Sequence, residues 1–321
     1  MKRKDIEKQI KTEFQQLQIN NNKEELLKAI QDIEIEDKQP SKRPWFKLKR
    51  MQTLALACCV ILAFVLFRPQ VEKDYFVSFD VNPYIELEVS KNRRVEDVIC
   101  HNDDATIVMD DMDLKDTDLD VAVNAIIGSM FRHGYISDVN NSILVTILGE
   151  DQQVREELKE NVSTHVKEIL SGYSIEASVV SQDLAYSKDK EALANQYNIS
   201  VGKVTLIQEL MKSNPDYRFE DLTHLSINDL NTLVHYANME FKSITVDGVE
   251  SHRGYVTSDE VKVKVLEHAN VSESSVLDYT YDISCEDSQL IYSVNFSDEY
   301  GKYHYSVNAI SGDIISVKAE R

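Results

Sequence analysis

The chain has 321 residues, a formal net charge of −20 and 42% hydrophobic residues, enough length and apolar content for two or three globular domains. Residues 1–50 carry 13 basic and 9 acidic side chains, which leaves the remainder with a net charge of −24. The strong negative charge of residues 51–321 argues against binding to nucleic acid or to another anionic polymer.

Two short amphipathic helices are predicted in residues 1–50, separated by Asn20 to Asn22. The apolar positions that recur at helical spacing are Ile6, Ile10, Phe14, Leu17, Leu26, Leu27, Ile30 and Ile33. Isolated helices below about 12 to 15 residues are marginal in water, so we expect these positions to need a partner surface. A cytoplasmic protein that binds them, and a helical hairpin that rests on itself or on a membrane, both fit the pattern.

Residues 51–67 are an uncharged apolar run that follows a cluster of basic residues. A helix of this length rises about 25 Å, slightly less than the hydrocarbon core of a bilayer. The Lys and Arg excess on one side predicts a single transmembrane helix with a cytoplasmic N-terminus. A cleaved signal peptide would begin nearer residue 1, and a lipoprotein would carry its cysteine after the apolar core, whereas Cys58 comes too early. A buried core helix is the remaining alternative, and the one-sided basic cluster argues against it.

Alternating apolar and polar residues predict two half-buried strands on either side of Asn82-Pro83. Their apolar positions are Val77, Phe79, Val81, Ile85, Leu87 and Val89. The next predicted elements are a third strand near Val95 and a helix with capping-box spacing between Thr117 and Asp120. They are followed by a strand at 142–148, a long helix and a further strand. This order predicts an α+β domain over residues 68–186, with helices packed on a mixed sheet.

Several segments of this domain carry a family resemblance. The sequence VSFDVNPYIELEV from Val77 to Val89, then LKDTDL from Leu114, HGY from His133 and ANQYNISVGK from Ala194, resembles the membrane-proximal extracytoplasmic domain of RsgI-type anti-sigma factors. The resemblance implies that the protein cuts its own Asn82-Pro83 bond, that the inner segment binds a sigma factor, and that an intramembrane protease later frees that segment. An ordinary turn is the alternative for this dipeptide, because Asn and Pro are both common turn residues.

The residue types suit such a cleavage. An asparagine side-chain amide can attack its own backbone carbonyl carbon and expel the nitrogen of the next residue, an intramolecular reaction that depends on orientation. Pro83 contributes a tertiary amide without an N–H, which a tight turn can twist out of resonance. Ser78 and Asp80 alternate onto the polar face of the first strand, where they either assist proton transfer or are solvated. Attack by a hydroxyl group is an alternative route. After the cut, we expect the stub that ends at Asn82 to remain a strand in the sheet.

Residues 187–245 are predicted to form a helical extension, and residues 250–321 a module with one helix and an antiparallel sheet. The sequence YHYSVNAISGDII from Tyr303 resembles the closing motif of PepSY modules, although Asn308 and Ser311 replace the more usual acidic and Thr residues. That resemblance implies a module that binds or restrains proteins of the envelope, including peptidases.

Three other features of the sequence predict no further site. Gly202-Lys203 lacks the remaining residues of a phosphate loop and indicates a helix start. The acidic stretch after His101 fits no calcium loop and is expected to be a solvated loop. Cys100 and Cys285 indicate no disulfide framework, although one bridge between them stays open. We expect no cofactor, no metal and no catalytic activity apart from the single cut.

The sequence therefore predicts a single-pass membrane anti-sigma factor, with residues 1–50 in the cytoplasm, residues 51–67 in the membrane and the remainder outside the cell. An external ligand is not predicted. The alternative is an envelope adaptor or peptidase-restraining protein whose inner segment is only an anchor.

Overall fold

Two β-sheets and the helices packed on them make up residues 75–110, 112–237 and 241–320, which are the residues that the computed structural model describes. The predicted α+β class is therefore confirmed for this part of the chain. The predicted inner helices, with their partner-binding positions, and the predicted transmembrane segment lie outside it. Among the residues described, no helix combines the length and the apolar character needed to cross a membrane.

The first sheet is mixed, as predicted, with the strand order β3-β2-β1-β4-β5-β6. Its strands are β1 (Tyr75–Asp80), β2 (Tyr84–Val89), β3 (Val95–Cys100), β4 (Ser142–Leu148), β5 (Ser178–Leu184) and β6 (Thr245–Asp247). β4 and β5 run parallel, and the other neighbours are antiparallel. β1 therefore lies inside the sheet, with β2 on one side and β4 on the other. The short strand β6 was not predicted.

Helices cover both faces of this sheet. Their bounds are α1 (Asp103–Met109), α2 (Leu119–Arg132), α3 (Gln152–Gly172), α4 (Lys188–Tyr197), α5 (Val201–Ser213), α6 (Phe219–Thr223) and α7 (Ile227–Tyr236). The first three pack against the face that carries Val77 and Phe79. Helices α5 to α7 pack against the opposite face, which carries Leu144 and Val180. A strand covered on both faces is expected to be apolar throughout, and every residue of β4 is buried.

Two local predictions were wrong. The acidic stretch after His101 is helix α1, because the Asn102 side chain accepts from the backbone N–H of Ala105 and caps the helix. Helix α2 is capped by Asp118, whose side chain accepts from Asp120 at 3.0 Å, and not by Thr117.

The second sheet is antiparallel, in the order β10-β9-β8-β7. Its elements are α8 (Ser258–Ala269), a 3₁₀ turn (Glu273–Ser275), β7 (Asp278–Glu286), β8 (Gln289–Ser297), β9 (Lys302–Asn308) and β10 (Ile314–Glu320). One apolar cluster joins Leu144 of the first sheet to Val294 of the second, and Gln70–Arg321 forms one compact unit. The predicted helix and strands are confirmed as elements, whereas the PepSY resemblance and the domain boundaries stay predictions. Cys100 and Cys285 are both free thiols.

Candidate functional site

The Asn82–Pro83 bond lies in the turn of a β-hairpin, at the junction that the sequence predicted. β1 and β2 pair up to Asp80 and Tyr84, so that only three residues make the turn. The backbone N–H of Val81 closes it by donating to the Pro83 carbonyl oxygen at 3.0 Å. Asn82 has a φ of +71°, a left-handed conformation that asparagine tolerates better than most residues.

The side chain of Asn102 contacts the turn from the adjacent strand end. Its Nδ2 donates to Oδ1 of Asn82 at 3.0 Å. Its own Oδ1 accepts from the backbone N–H of Ala105 at 2.8 Å and of Tyr84 at 3.3 Å. These bonds set the direction of the Asn102 amide, so that it presents a donor to the Asn82 oxygen. The other end of the Asn82 amide, Nδ2, then points away from this contact.

Asp80 lies beneath the turn and is 7% exposed. It accepts hydrogen bonds from the side chain of Ser200 and from the backbone N–H of Asn82. Burial raises the pKa of the Asp80 carboxyl, and the positive charge of Lys203 opposes that rise, with a smaller contribution from His101. A buried carboxyl therefore contacts the backbone of the residue that would be cleaved.

Ser200 and Lys203 come from the first turn of α5. Ser200 caps this helix, because its Oγ accepts from the backbone N–H of Lys203 at 2.8 Å. The ammonium of Lys203 donates to the carbonyl oxygen of Leu225 at 2.7 Å. Burial lowers the pKa of Lys203, while Asp80 and Asp229 act in the opposite direction.

A cavity of about 630 Å³ opens beside the turn. The hairpin, Asn102 and the region from α4 to α7 line it, with polar groups from Asp80, Asn82, Asn102, Asn198, Ser200 and Lys203. Water and small polar molecules therefore have access to the Asn82 side chain, which is exposed. The cavity supplies the solvent that a cleavage intermediate would need for hydrolysis.

An aromatic pair forms another wall of the site. The rings of Tyr84 and His101 stack at a centroid distance of 4.0 Å and an interplanar angle of 9°. The Tyr84 hydroxyl donates to Glu86 at 3.2 Å, and His101 lies 3.7 Å from the same carboxylate. Burial, and then Glu86, raise the pKa of Tyr84, so its phenol stays protonated.

Ser78 and Asp80 are buried, so solvation, one of the two alternatives predicted for them, is wrong. Alternation does place them on the face opposite Phe79, but α5 packs on that face, and Ser78 is only 2% exposed. The Ser78 hydroxyl donates to the Thr146 carbonyl oxygen at 3.5 Å. The structure thus brings Asp80 to Asn82 and leaves Ser78 two residues further along the strand, away from the cavity lining.

Sequence reasoning missed Asn102, Ser200 and Lys203. A local signal existed for Asn102, which precedes two acidic residues and an apolar turn as a helix cap does. Ser200 also has the position of a helix cap. No local signal places Lys203 near the turn, because that contact depends on how α5 packs on the sheet.

Comparisons with known proteins point to anti-sigma factors. Residues 74–209 match the family described as Anti-sigma factor RsgI-like central domain. Anti-sigma-I factor RsgI9 of Acetivibrio thermocellus is 28% identical over 56% of this chain, and RsgI7 of the same organism is 24% identical over 57%. The chain spans 27% and 34% of the lengths of these two relatives. Through residues 74–209, the chain is therefore similar to the central domain of RsgI-type anti-sigma factors.

Proposed function

We propose that this chain is a single-pass membrane anti-sigma factor whose exterior cuts its own Asn82–Pro83 bond. The observation that carries the proposal is the contact between Asn102 Nδ2 and Asn82 Oδ1 at 3.0 Å, in a turn where Asn82 has a φ of +71°. A fixed amide in a tight turn supplies the orientation on which an intramolecular attack depends. The match of residues 74–209 to the RsgI-like central domain supports the same conclusion.

The cleavage step is an asparagine cyclisation. Nδ2 of Asn82 forms a bond to the carbonyl carbon of the same residue, and the bond from that carbon to the Pro83 nitrogen breaks. One Nδ2 proton ends on the Pro83 nitrogen, which leaves as a secondary amine, and residue 82 is left as a cyclic imide. One water molecule from the adjacent cavity then opens the imide.

The cut need not separate the two fragments. β1, which ends just before the cut, has hydrogen-bonded partners on both sides, in β2 and β4. Val77 and Phe79 are 0% exposed, and burying such a side chain contributes about 1.5 to 3 kcal/mol. The strand therefore stays in the sheet until pulling or local unfolding extracts it.

Extraction of β1 would transmit an external signal to the cytoplasmic side of the membrane. The fragment ending at Asn82 contains the predicted transmembrane segment 51–67 and the predicted inner helices of residues 1–50. Once separated from the exterior domain, this fragment becomes the substrate of an intramembrane protease. Proteolysis releases the inner segment from the membrane, and the sigma factor becomes free. The names of the relatives, anti-sigma-I factors, support a sigma factor as the partner of residues 1–50.

The cleavage is tested on the full chain by denaturing gel and mass spectrometry. Wild type should give two fragments, residues 1–82 and 83–321, and Asn82→Ala one intact chain. Asn214→Ala is the matched control, because Asn214-Pro215 is the same dipeptide at the end of α5, where Asn214 Oδ1 accepts from Asp216 at 3.0 Å. Asn214→Ala should be cut like wild type. An intact wild-type chain would remove self-cleavage from the proposal.

Sigma-factor binding is tested separately. Residues 1–50 are used as bait, and captured proteins are identified by mass spectrometry, with an Ile10→Asp and Phe14→Asp double variant beside them. A sigma factor captured by the wild-type bait and lost from the variant supports the proposal. Recovery of no sigma factor favours the adaptor, in which the inner segment only anchors the protein.

A further inference from the structure

We infer that Lys203, in the first turn of α5, is a positioning residue for cleavage at Asn82–Pro83 and acts through Asp80. The inference rests on the proposed self-cleavage and adds a requirement to it. The cut would depend on a helix that lies far along the chain from the turn, and therefore on completion of the fold.

Asp80 connects the helix to the turn. One of its hydrogen bonds comes from the backbone N–H of Asn82, and the other from Ser200 at the start of α5. An ionised carboxylate is an acceptor only, and its bonds to N–H groups are stronger than those of a neutral acid. Ionised Asp80 therefore holds the N–H of Asn82 and stabilises the left-handed conformation of the turn.

The charge of Lys203 favours the ionised form of Asp80. Burial alone favours the protonated carboxyl, and the charge of Lys203 is the largest influence that opposes it. The Lys203 ammonium is itself held by its bond to the Leu225 carbonyl oxygen at 2.7 Å. The charge thus has a fixed place that depends on α5 and on the loop that leads into α7.

Packing of α5 brings the charge there. Gln182 Nε2 donates to the backbone carbonyl of Gly202 at 2.8 Å, so the helix start lies directly on the sheet. A Cβ at position 202 would overlap Thr146 Oγ1 and lie 2.9 Å from Gln182 Nε2. Glycine permits this approach, which lets Ser200 donate a hydrogen bond to Asp80 and places Lys203 in the same cavity lining as Asp80.

Other titratable groups face Asp80 and Lys203 and also contribute to the pH dependence of cleavage. These groups are His101 and Tyr84 beside Asp80, Asp229 of α7 beside Lys203, and Glu86, Glu191 and His224 in the cavity lining. Each of these residues is retained in every Lys203 variant, so a difference between the neutral variants and Lys203→Arg reports on the Lys203 charge.

The experiment follows the cut in time. Full-length chain that accumulates unfolded and uncut in inclusion bodies is dissolved in denaturant, diluted into detergent buffers over an acidic to alkaline pH series, and sampled onto denaturing gels. The variants are Lys203→Met and Lys203→Gln, which remove the charge, and Lys203→Arg, which keeps it. Lys190→Met is the control, because Lys190 is a half-buried lysine of α4 that contacts Thr205 at 3.0 Å instead of Asp80.

The expected result has a direction in pH. Without the Lys203 charge the pKa of Asp80 rises, the ionised fraction at a given pH falls, and the acidic limb of the cleavage profile moves to higher pH. At neutral pH we expect cleavage to slow by about 10²-fold, the loss typical of misplaced reacting groups. Lys203→Arg should restore both the rate and the profile, and Lys190→Met should match wild type.

Three outcomes would overturn the inference. If both neutral variants are cut like wild type, Lys203 has no part in the reaction. If they are slowed equally at every pH, or if Lys203→Arg is as slow as they are, the role of Lys203 is structural. If wild type itself is never cut, the proposed self-cleavage fails and the inference fails with it. Circular dichroism identifies a variant that does not fold. If one neutral variant does not fold, the other neutral variant is used to test the role of Lys203.

Discussion

Asn102 and Asn82 are joined by a side-chain hydrogen bond of 3.0 Å between Nδ2 of the first and Oδ1 of the second. The two residues are separated by two strands in the sequence, and the antiparallel pairing of β2 with β3 brings them together. The same Asn102 side chain also caps α1 through its other amide atom, Oδ1. Two functions, capping and orientation, thus depend on different atoms of one side chain and can be separated by substitution.

Asn102→Asp should separate these functions. Aspartate keeps an oxygen that accepts from Ala105 and Tyr84, but it has no N–H for Asn82. We expect α1 to keep its stability and self-cleavage to slow by about 10²-fold, because the amide loses its orientation. Asn102→Ala should lose the cap as well, at a cost of about 1 kcal/mol. Time-resolved gels and thermal melts of both variants check this, and an Asn102→Asp chain cut at the wild-type rate would contradict it.

Gly202→Ala should push the start of α5 away from the sheet. The added Cβ meets Thr146 Oγ1 and Gln182 Nε2, and overpacking of this kind typically costs about 1 to 3 kcal/mol. We expect lower thermal stability and slower cleavage. Gly172→Ala, at the end of α3, is the matched control, because no atom lies within 4 Å of a Cβ there. Equal melting temperatures for the two variants would show that α5 tolerates displacement.

Phe79→Ala should weaken retention of β1 after the cut. Phe79 is 0% exposed, and removal of a buried Phe side chain costs about 3 to 5 kcal/mol. We expect fragment 1–82 to leave fragment 83–321 in milder denaturant than in wild type, as followed by size-exclusion chromatography of the cut protein in detergent. Val121→Ala, at a position of α2 that is 56% exposed, should leave the midpoint of separation unchanged. Fragments that separate at the same denaturant concentration in all three proteins would argue against packing as the cause of retention.

Asp80→Asn should make stability less dependent on pH. Because burial raises the pKa of Asp80 above 3.8, the folded chain binds this proton more tightly than the unfolded chain does. The stabilisation from the protonated carboxyl is full below pH 3.8 and is lost as the pH rises through the folded pKa. Asparagine resembles the protonated form, so the variant should melt above its parent at neutral pH and equally with it at acidic pH.

The Asp80 measurement is made on chains that also carry Asn82→Ala, so that each stays uncut. Glu160→Gln, at an exposed position of α3, reports the effect of removing one surface charge. If Asp80→Asn lowers the melting temperature by the same amount at every pH, the ionised carboxylate stabilises the fold and its pKa is not raised.

The local pattern of apolar and polar residues was sufficient to predict most helices and strands in the described part of the chain. The alternation around Val77 and Ile85 predicted β1 and β2, because a half-buried strand needs period-two patterning whatever lies elsewhere in the chain. The turn residues between them predicted where the chain reverses. The helix predicted after Thr117 and the C-terminal strands were confirmed as well.

Tertiary structure alone decided which residues surround the turn. Whether the polar face of β1 meets water depends on whether another element covers it, and α5 does, which buries Ser78 and Asp80. The strand order that places β1 between β2 and β4 is equally non-local. Lys203 reaches the site because Gly202 lets α5 lie directly on the sheet. Periodicity reports which face of an element is apolar, whereas the partner of each face follows from how the whole chain packs.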